Sequence, residues 1–190
     1  FSKDDLLTLN KFNSHFIGHP TKKIPGIEHN TGALGHGLSV ACGMALNAKL
    51  LKKTHRVINL MSDGECDEGS NWEAIMSAAQ FKLDNLTLII DHNRLQQGAH
   101  LADTNNLAPL PPKLKAFGWD VVEIDGHNMD QICAELDADR VVEGKPKCIV
   151  AHTTKGQGVS FMANNVAWHH KVPNEKEFQQ AMAELKQAAI

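Results

Sequence analysis

The sequence predicts an α/β fold, a parallel β-sheet with helices on both faces. Three observations predict it. Two apolar runs, residues 57–61 and 86–90, each end in a polar turn, Ser62-Asp63-Gly64 and Asp91-His92-Asn93, and they enclose a stretch of helical spacing. Strand-like and helix-like segments alternate along the chain, the order that builds parallel sheets. The 190 residues, 42% hydrophobic and 22% charged, suffice for a single domain with a core, and no repeat or internal boundary divides them.

In chain order, residues 3–13 predict a short helix with Ser2 as its N-cap. Residues 18–37 are rich in Gly, Pro and Thr and predict a loop. Residues 38–53 set Val40, Ala41, Met44, Ala45, Ala48 and Leu51 at helical spacing and close with a Lys-rich turn. A strand over 56–61, a helix over 70–81 and a strand over 85–91 follow, the last apolar without interruption, as a strand buried on both faces requires. Residues 95–112 have little pattern and predict a long loop; residues 111–117 start a short helix. A strand over 119–124, a helix over 129–142 and a strand over 148–152 come next. Residues 153–171 predict a loop, and 174–189 a final helix capped by Asn174.

This order sets Asp63 and Asn93 at the carboxyl ends of two parallel strands, the edge where open α/β sheets bind ligands. One carboxylate, one amide oxygen and a nearby backbone carbonyl are hard oxygen ligands. They suit Mg²⁺ or Ca²⁺, with a diphosphate completing the shell. A plain βαβ unit, with Asp63 as a helix N-cap, is the other reading of that motif alone.

Composition excludes some classes. The net charge is −3 without a basic block, so nucleic-acid binding has no electrostatic support. No run of eighteen apolar residues offers a membrane span. Cys42, Cys66, Cys133 and Cys148 are scattered and suggest neither zinc nor a disulfide framework, so a reducing cytoplasm is expected. The chain opens at Phe1, and its first segment reads as joined to something earlier.

Asp63-Gly64, then Asn93 thirty residues beyond Asp63, resembles the thiamine diphosphate signature Gly-Asp-Gly, a spacer of nearly thirty residues and Asn. Gly18-His19-Pro20, Thr31-Gly32-Ala33-Leu34-Gly35-His36-Gly37, Phe117-Gly118-Trp119, Ile124-Asp125-Gly126-His127, Thr153-Thr154-Lys155-Gly156 and Trp168-His169 are similar, in order, to motifs of the transketolase family. The resemblance covers nearly all of the chain. It departs from the family at Ser62, where Gly is usual, at the Arg94-Leu95 pair, at His36, where Gln is usual, and at His170, where Gly is usual.

The resemblance implies the diphosphate-binding domain of a transketolase, in a thiamine diphosphate-binding fold whose start lies upstream of Phe1. It implies thiamine diphosphate and Mg²⁺ (or Ca²⁺) as cofactors. Asp63, Asn93 and the Leu95 carbonyl match the metal ligands. Ser62, Gly64, Gly32, Leu34, Glu68 and His169 match positions at the cofactor, His170 being the neighbouring alternative to His169. At Gly64 the backbone approaches the diphosphate closely and begins a helix whose N-terminus favours an anion. Ser62 keeps an N–H donor, but its Cβ narrows the approach. His19 and His169 match catalytic histidines, His19 contacting the hydroxyl of a ketose donor's two-carbon unit. His36 is expected to pack or to hydrogen-bond behind the cofactor.

Glu68 and Glu73 match carboxylates at an interface between chains, and Ala74, Ala78 and Ala79 are small enough for close helix approach there. The implied partners are a pyrimidine-binding C-terminal transketolase subunit, with further pairing into a dimer of such pairs, and sugar phosphate substrates. The implied activity is transfer of a two-carbon ketol unit from a ketose to an aldose. The alternatives are a transketolase-like binding module without turnover, or another thiamine diphosphate reaction such as 1-deoxyxylulose-5-phosphate synthesis.

Overall fold

Four strands take up the chain's apolar runs and pair in parallel throughout: β1 (Val57–Ser62), β2 (Leu86–His92), β3 (Asp120–Asp125) and β4 (Lys147–His152), in the spatial order β1-β2-β4-β3. The computed structural model describes residues 1–137 and 141–188. The register pairs Ser62 with Asp91 and His92 with His152, so the polar ends of β1, β2 and β4 finish side by side.

Side chains alternate across each strand and divide the core in two. Leu86, Leu88 and Ile90 of β2, with Cys148 and Val150 of β4, face one side and are wholly buried. Helices α1 (Gly37–Leu50), α2 (Gly69–Gln80) and α4 (Leu110–Ala116) cover that side. Ile149, Ala151 and Ile124 face the other side, where Ile132 and Leu136 of α5 (Met129–Leu136) pack on them. Helices on both faces of a parallel sheet are the architecture expected from the sequence. Among the described residues, α3 (Leu101–Thr104) and α6 (Glu175–Ala188) are the further α-helices.

Where the structure departs from the sequence reading, the causes are local. The helix expected over 3–13 is a 3₁₀ turn, Lys3–Thr8. Ser2 caps it reciprocally with Asp5, as expected, but Asn10 and Asn13 adopt left-handed φ of 58° and 62° and stop it. The long loop over 95–112 contains α3, anchored by buried Leu101. α5 ends at Leu136, short of residue 142. Its terminal carbonyls accept from side chains instead of a further turn: Arg56 donates to Leu136 O at 2.7 Å and Lys147 to Glu135 O at 2.6 Å. Val141 and Val142 are not helical, and residues 138–140 of that expected helix lie outside the described residues. α6 begins as expected: Asn174 Oδ1 accepts from the Glu177 N–H at 3.0 Å, and Glu177 Oε2 accepts from the Asn174 N–H at 2.8 Å. Residue 189, its expected end, lies outside the described residues.

The small residues of α2 serve a different purpose from the one expected. Ala74 and Ala78 are buried within the chain, in one cluster with Ala41 and Ala45 of α1, and Ala79 packs against that cluster. Ala74 and Ala78 let two helices of one domain approach closely and are not available to a second chain.

The sheet's centre should dominate stability. Leu88→Ala, at a position with 0% exposure on the central strand β2, should cost about 2–5 kcal/mol. Leu50→Ala, at a position 73% exposed, should cost less than about 1 kcal/mol. Urea unfolding of the two variants checks the contrast.

Candidate functional site

The site grows from the polar residues that end β1 and β2. Asp63 follows Ser62 and is fully buried, with 0% exposure. A buried carboxylate needs donors, and this one has them. Gly64 N–H donates to Oδ1 at 2.8 Å and Arg94 N–H to Oδ2 at 2.6 Å. The Asp63 N–H donates to Asp91 O at 3.1 Å, so the turn is also tied to the end of β2. His92 Nδ1 lies 3.0 Å from Asp63 Oδ2 without meeting hydrogen-bond geometry.

Asn93 is buried as well. Its Oδ1 accepts from Leu95 N–H at 2.9 Å, and its Nδ2 donates to Asp91 Oδ2 at 3.1 Å. The Leu95 carbonyl lies beside the Gly64 turn: a Cβ on Gly64 would stand 3.9 Å from that oxygen and 3.0 Å from the Gln96 Cβ. Glycine at 64 therefore keeps the turn open against the 94–96 loop. The structure thus brings Asp63, Asn93 and Leu95 to one edge. Among the described residues no group of three His, Cys, Asp or Glu is placed to hold a metal. A carboxylate, an amide oxygen and a carbonyl form a different set, and their hard oxygens fit Mg²⁺ or Ca²⁺.

Ser62 does more than narrow the approach. Its hydroxyl accepts from the Glu65 N–H at 3.1 Å and so helps to cap the 3₁₀ turn Gly64–Asp67. Cys66, in that turn, is unreactive at neutral pH: burial first, then the charges of Asp63, Glu65 and Asp67, push its thiol up to about 12.

The glycine loop, residues 31–37, adjoins this turn. Gly35 N–H donates to Glu65 Oε1 at 3.0 Å, and Ser70 Oγ donates to Gly35 O at 2.7 Å. Gly32 has φ +94°, and a Cβ there would stand 2.4 Å from the His19 ring. The ring of His19 therefore lies on Gly32, in an exposed position, which explains the glycine. Leu34, 54% exposed, stands out from the same loop. His36 occupies the N-cap of α1, exposed and without a side-chain capping bond.

The loop after β4 closes on the same edge. The Thr153 hydroxyl donates to Asp91 Oδ1, and the Thr153 N–H to His92 O at 3.3 Å. Further along this loop His169 is half-buried and His170 exposed. Burial first, then the charges of Lys155 and His170, hold the His169 pKa below its ordinary value, which favours the neutral ring. Glu68 and Glu73 are exposed; Glu68 stands at the N-cap of α2 without a side-chain capping bond.

Sequence reasoning assigned Glu65 no role. It is the second carboxylate of Asp63-Gly64-Glu65, but only the folded loops show that it meets Gly35. No helix among the described residues is long and apolar enough to cross a membrane.

Comparison with known proteins agrees with this geometry. The family model described as "Transketolase, thiamine diphosphate binding domain" matches residues 1–187. An apulose-4-phosphate transketolase subunit of Phocaeicola vulgatus is 46% identical over 180 residues, 95% of this chain and 64% of that protein. The 6-deoxy-6-sulfo-D-fructose transketolase subunit SqwG of a Clostridium species is 38% identical over 180 residues, 94% of this chain and 66% of that protein. The chain thus spans about two thirds of these relatives. The solved transketolase of Campylobacter jejuni superposes with a TM-score of 0.89 at 28% identity, covering 96% of this chain and 30% of that one. Motifs, parallel sheet and family match agree: the chain belongs to the transketolase family and comprises its thiamine diphosphate-binding domain.

Proposed function

We propose that this domain works within a thiamine diphosphate- and Mg²⁺-dependent transketolase, as one subunit of a split enzyme that transfers a two-carbon ketol unit from a ketose to an aldose sugar phosphate. The observation that carries the reading is the convergence of buried Asp63 with Asn93 and the Leu95 carbonyl at the carboxyl edge of the sheet. Similarity to two proteins named as transketolase subunits supports the split arrangement.

Asp63, Asn93 and the Leu95 carbonyl would hold the metal, with the backbone of Ser62 and Gly64 facing the diphosphate. Gly32 and Leu34 would pack against the cofactor's ring system, and Glu68 would stand beside it. When bound, thiamine diphosphate supplies a carbanion-forming carbon. The residues of this chain bind, orient and exclude water.

His19 holds a proton donor or acceptor at the edge of the glycine loop, suited to the hydroxyl of a ketose donor. His169, with a pKa lowered mainly by burial, is neutral at neutral pH and can accept or donate a hydrogen bond without adding charge. A pyrimidine-binding partner subunit would complete the site, in a dimer of such pairs in the cytoplasm. Exposed Glu68 and Glu73 would face that assembly. The relatives' names differ in the ketose and share the transketolase reaction.

Two experiments on the full-length protein assembled with its partner test this. Asp63→Asn keeps the shape and removes the charge, so Mg²⁺-dependent thiamine diphosphate affinity should fall by about tenfold or more. Chelation of the metal should abolish binding to the parent protein. Calorimetry decides, and unchanged affinity in Asp63→Asn would remove the metal assignment. His19→Ala should lower kcat/KM for a ketose phosphate by about one to two orders of magnitude, the loss expected for a hydrogen bond to a developing charge. Pyruvate, which lacks the hydroxyl, should be affected little. Equal losses for both donors would assign His19 elsewhere.

A further inference from the structure

We propose that Glu65 is a positioning residue, which sets the glycine loop at the cofactor's ring end against the metal-binding turn. The inference rests on the functional reading above, since that reading assigns the two segments to the two ends of one cofactor.

Glu65 is fixed before its side chain reaches out. Its N–H donates to Ser62 Oγ at 3.1 Å, and its carbonyl accepts from Nδ2 of buried Asn71 at 2.6 Å. From that fixed backbone, Oε1 accepts the Gly35 N–H at 3.0 Å. Ser70 Oγ donates to Gly35 O at 2.7 Å, so both backbone groups of Gly35 are held by residues 65–70. Gly35 has φ +80°, and a Cβ would stand 2.6 Å from Ser70 Oγ and 2.8 Å from the Glu68 Cβ. Only glycine permits this approach.

The consequence is a fixed spacing. Leu34 adjoins the held residue and Gly32 lies three positions before it, while Asp63 lies two positions before Glu65. The two bonds to Gly35 therefore set the ring-facing loop against the diphosphate-facing turn, and the one from Glu65 ties it to the turn itself. The charge of Glu65 is not what the site needs. Asp63 and Asp67 flank it in the turn, and a diphosphate adds more negative charge. The needed property is the acceptor oxygen, which a glutamine also supplies.

The test uses the full-length protein assembled with its partner, at fixed Mg²⁺, and measures affinity for thiamine diphosphate and for inorganic diphosphate. Glu65→Ala should weaken thiamine diphosphate binding about fivefold to tenfold and leave inorganic diphosphate within about twofold, because the glycine loop meets only the ring end. Glu65→Gln should return thiamine diphosphate affinity to within about twofold of the parent. Should Glu65→Ala not fold, Ser70→Ala carries the same pair of expectations, since it removes the second hold on Gly35.

Three results would overturn the proposal: neither ligand affected, both weakened alike, or Glu65→Gln as weak as Glu65→Ala. The Asp63→Asn variant separates this from the functional reading. If it binds Mg²⁺ and inorganic diphosphate normally, the metal reading fails. If it loses them while Glu65→Ala matches the parent for both ligands, only the positioning role fails.

Discussion

A carboxylate buried without bulk water is the constraint around which this domain's functional edge is built. Asp63 is inside the protein, and an ionised carboxylate there is stable only where donors surround it. The donors come from the two segments that must meet: Gly64 N–H from its own turn and Arg94 N–H from the loop after β2. Satisfying one charge therefore joins the ends of two strands, and it draws Asn93 and the Leu95 carbonyl alongside. The parallel register supplies the rest, because Ser62 and Asp91 are paired neighbours and their strands end together. A divalent cation at this edge would balance a charge that the fold has already desolvated.

From that point the site extends outward by single contacts. Ser62 stands where a glycine is usual, and its hydroxyl is taken up in capping the turn beneath Asp63 rather than left toward a ligand. The same turn reaches the glycine loop through Glu65, and the glycine loop carries His19 on Gly32. Thr153 ties the loop after β4 to Asp91. Each contact is modest, about 1 kcal/mol for an ordinary hydrogen bond, and together they leave three loops little freedom to move apart.

The strands and the helices that pack on them were legible in the sequence because apolar period and polar turn agree there: β1, α2 and β2 fall within a residue of their expected limits. The glycines at 32 and 64 were marked by their motifs, and the structure gives each a local reason: a Cβ on Gly32 would collide with the His19 ring, and one on Gly64 would crowd the Gln96 Cβ. What escaped the sequence depends on long-range partners. α5 stops where Arg56 and Lys147, distant along the chain, take its last carbonyls. Ala74 and Ala78 read as surface helix contacts but fill the seam between α1 and α2. Glu65 has no periodicity or spacing to mark it, and its role exists only where Gly35 meets it.

We assign Asp63, Asn93 and the Leu95 carbonyl to one metal site serving a diphosphate. The most direct measurement is a crystal structure of the full-length protein, assembled with its partner and grown with thiamine diphosphate and Mg²⁺. A cation bonded to all three oxygens at about 2.0–2.1 Å, with the diphosphate completing its shell, is the expected result. A bound cofactor whose metal leaves Asp63 uncoordinated, or whose diphosphate lies away from the Gly64 turn, would contradict it.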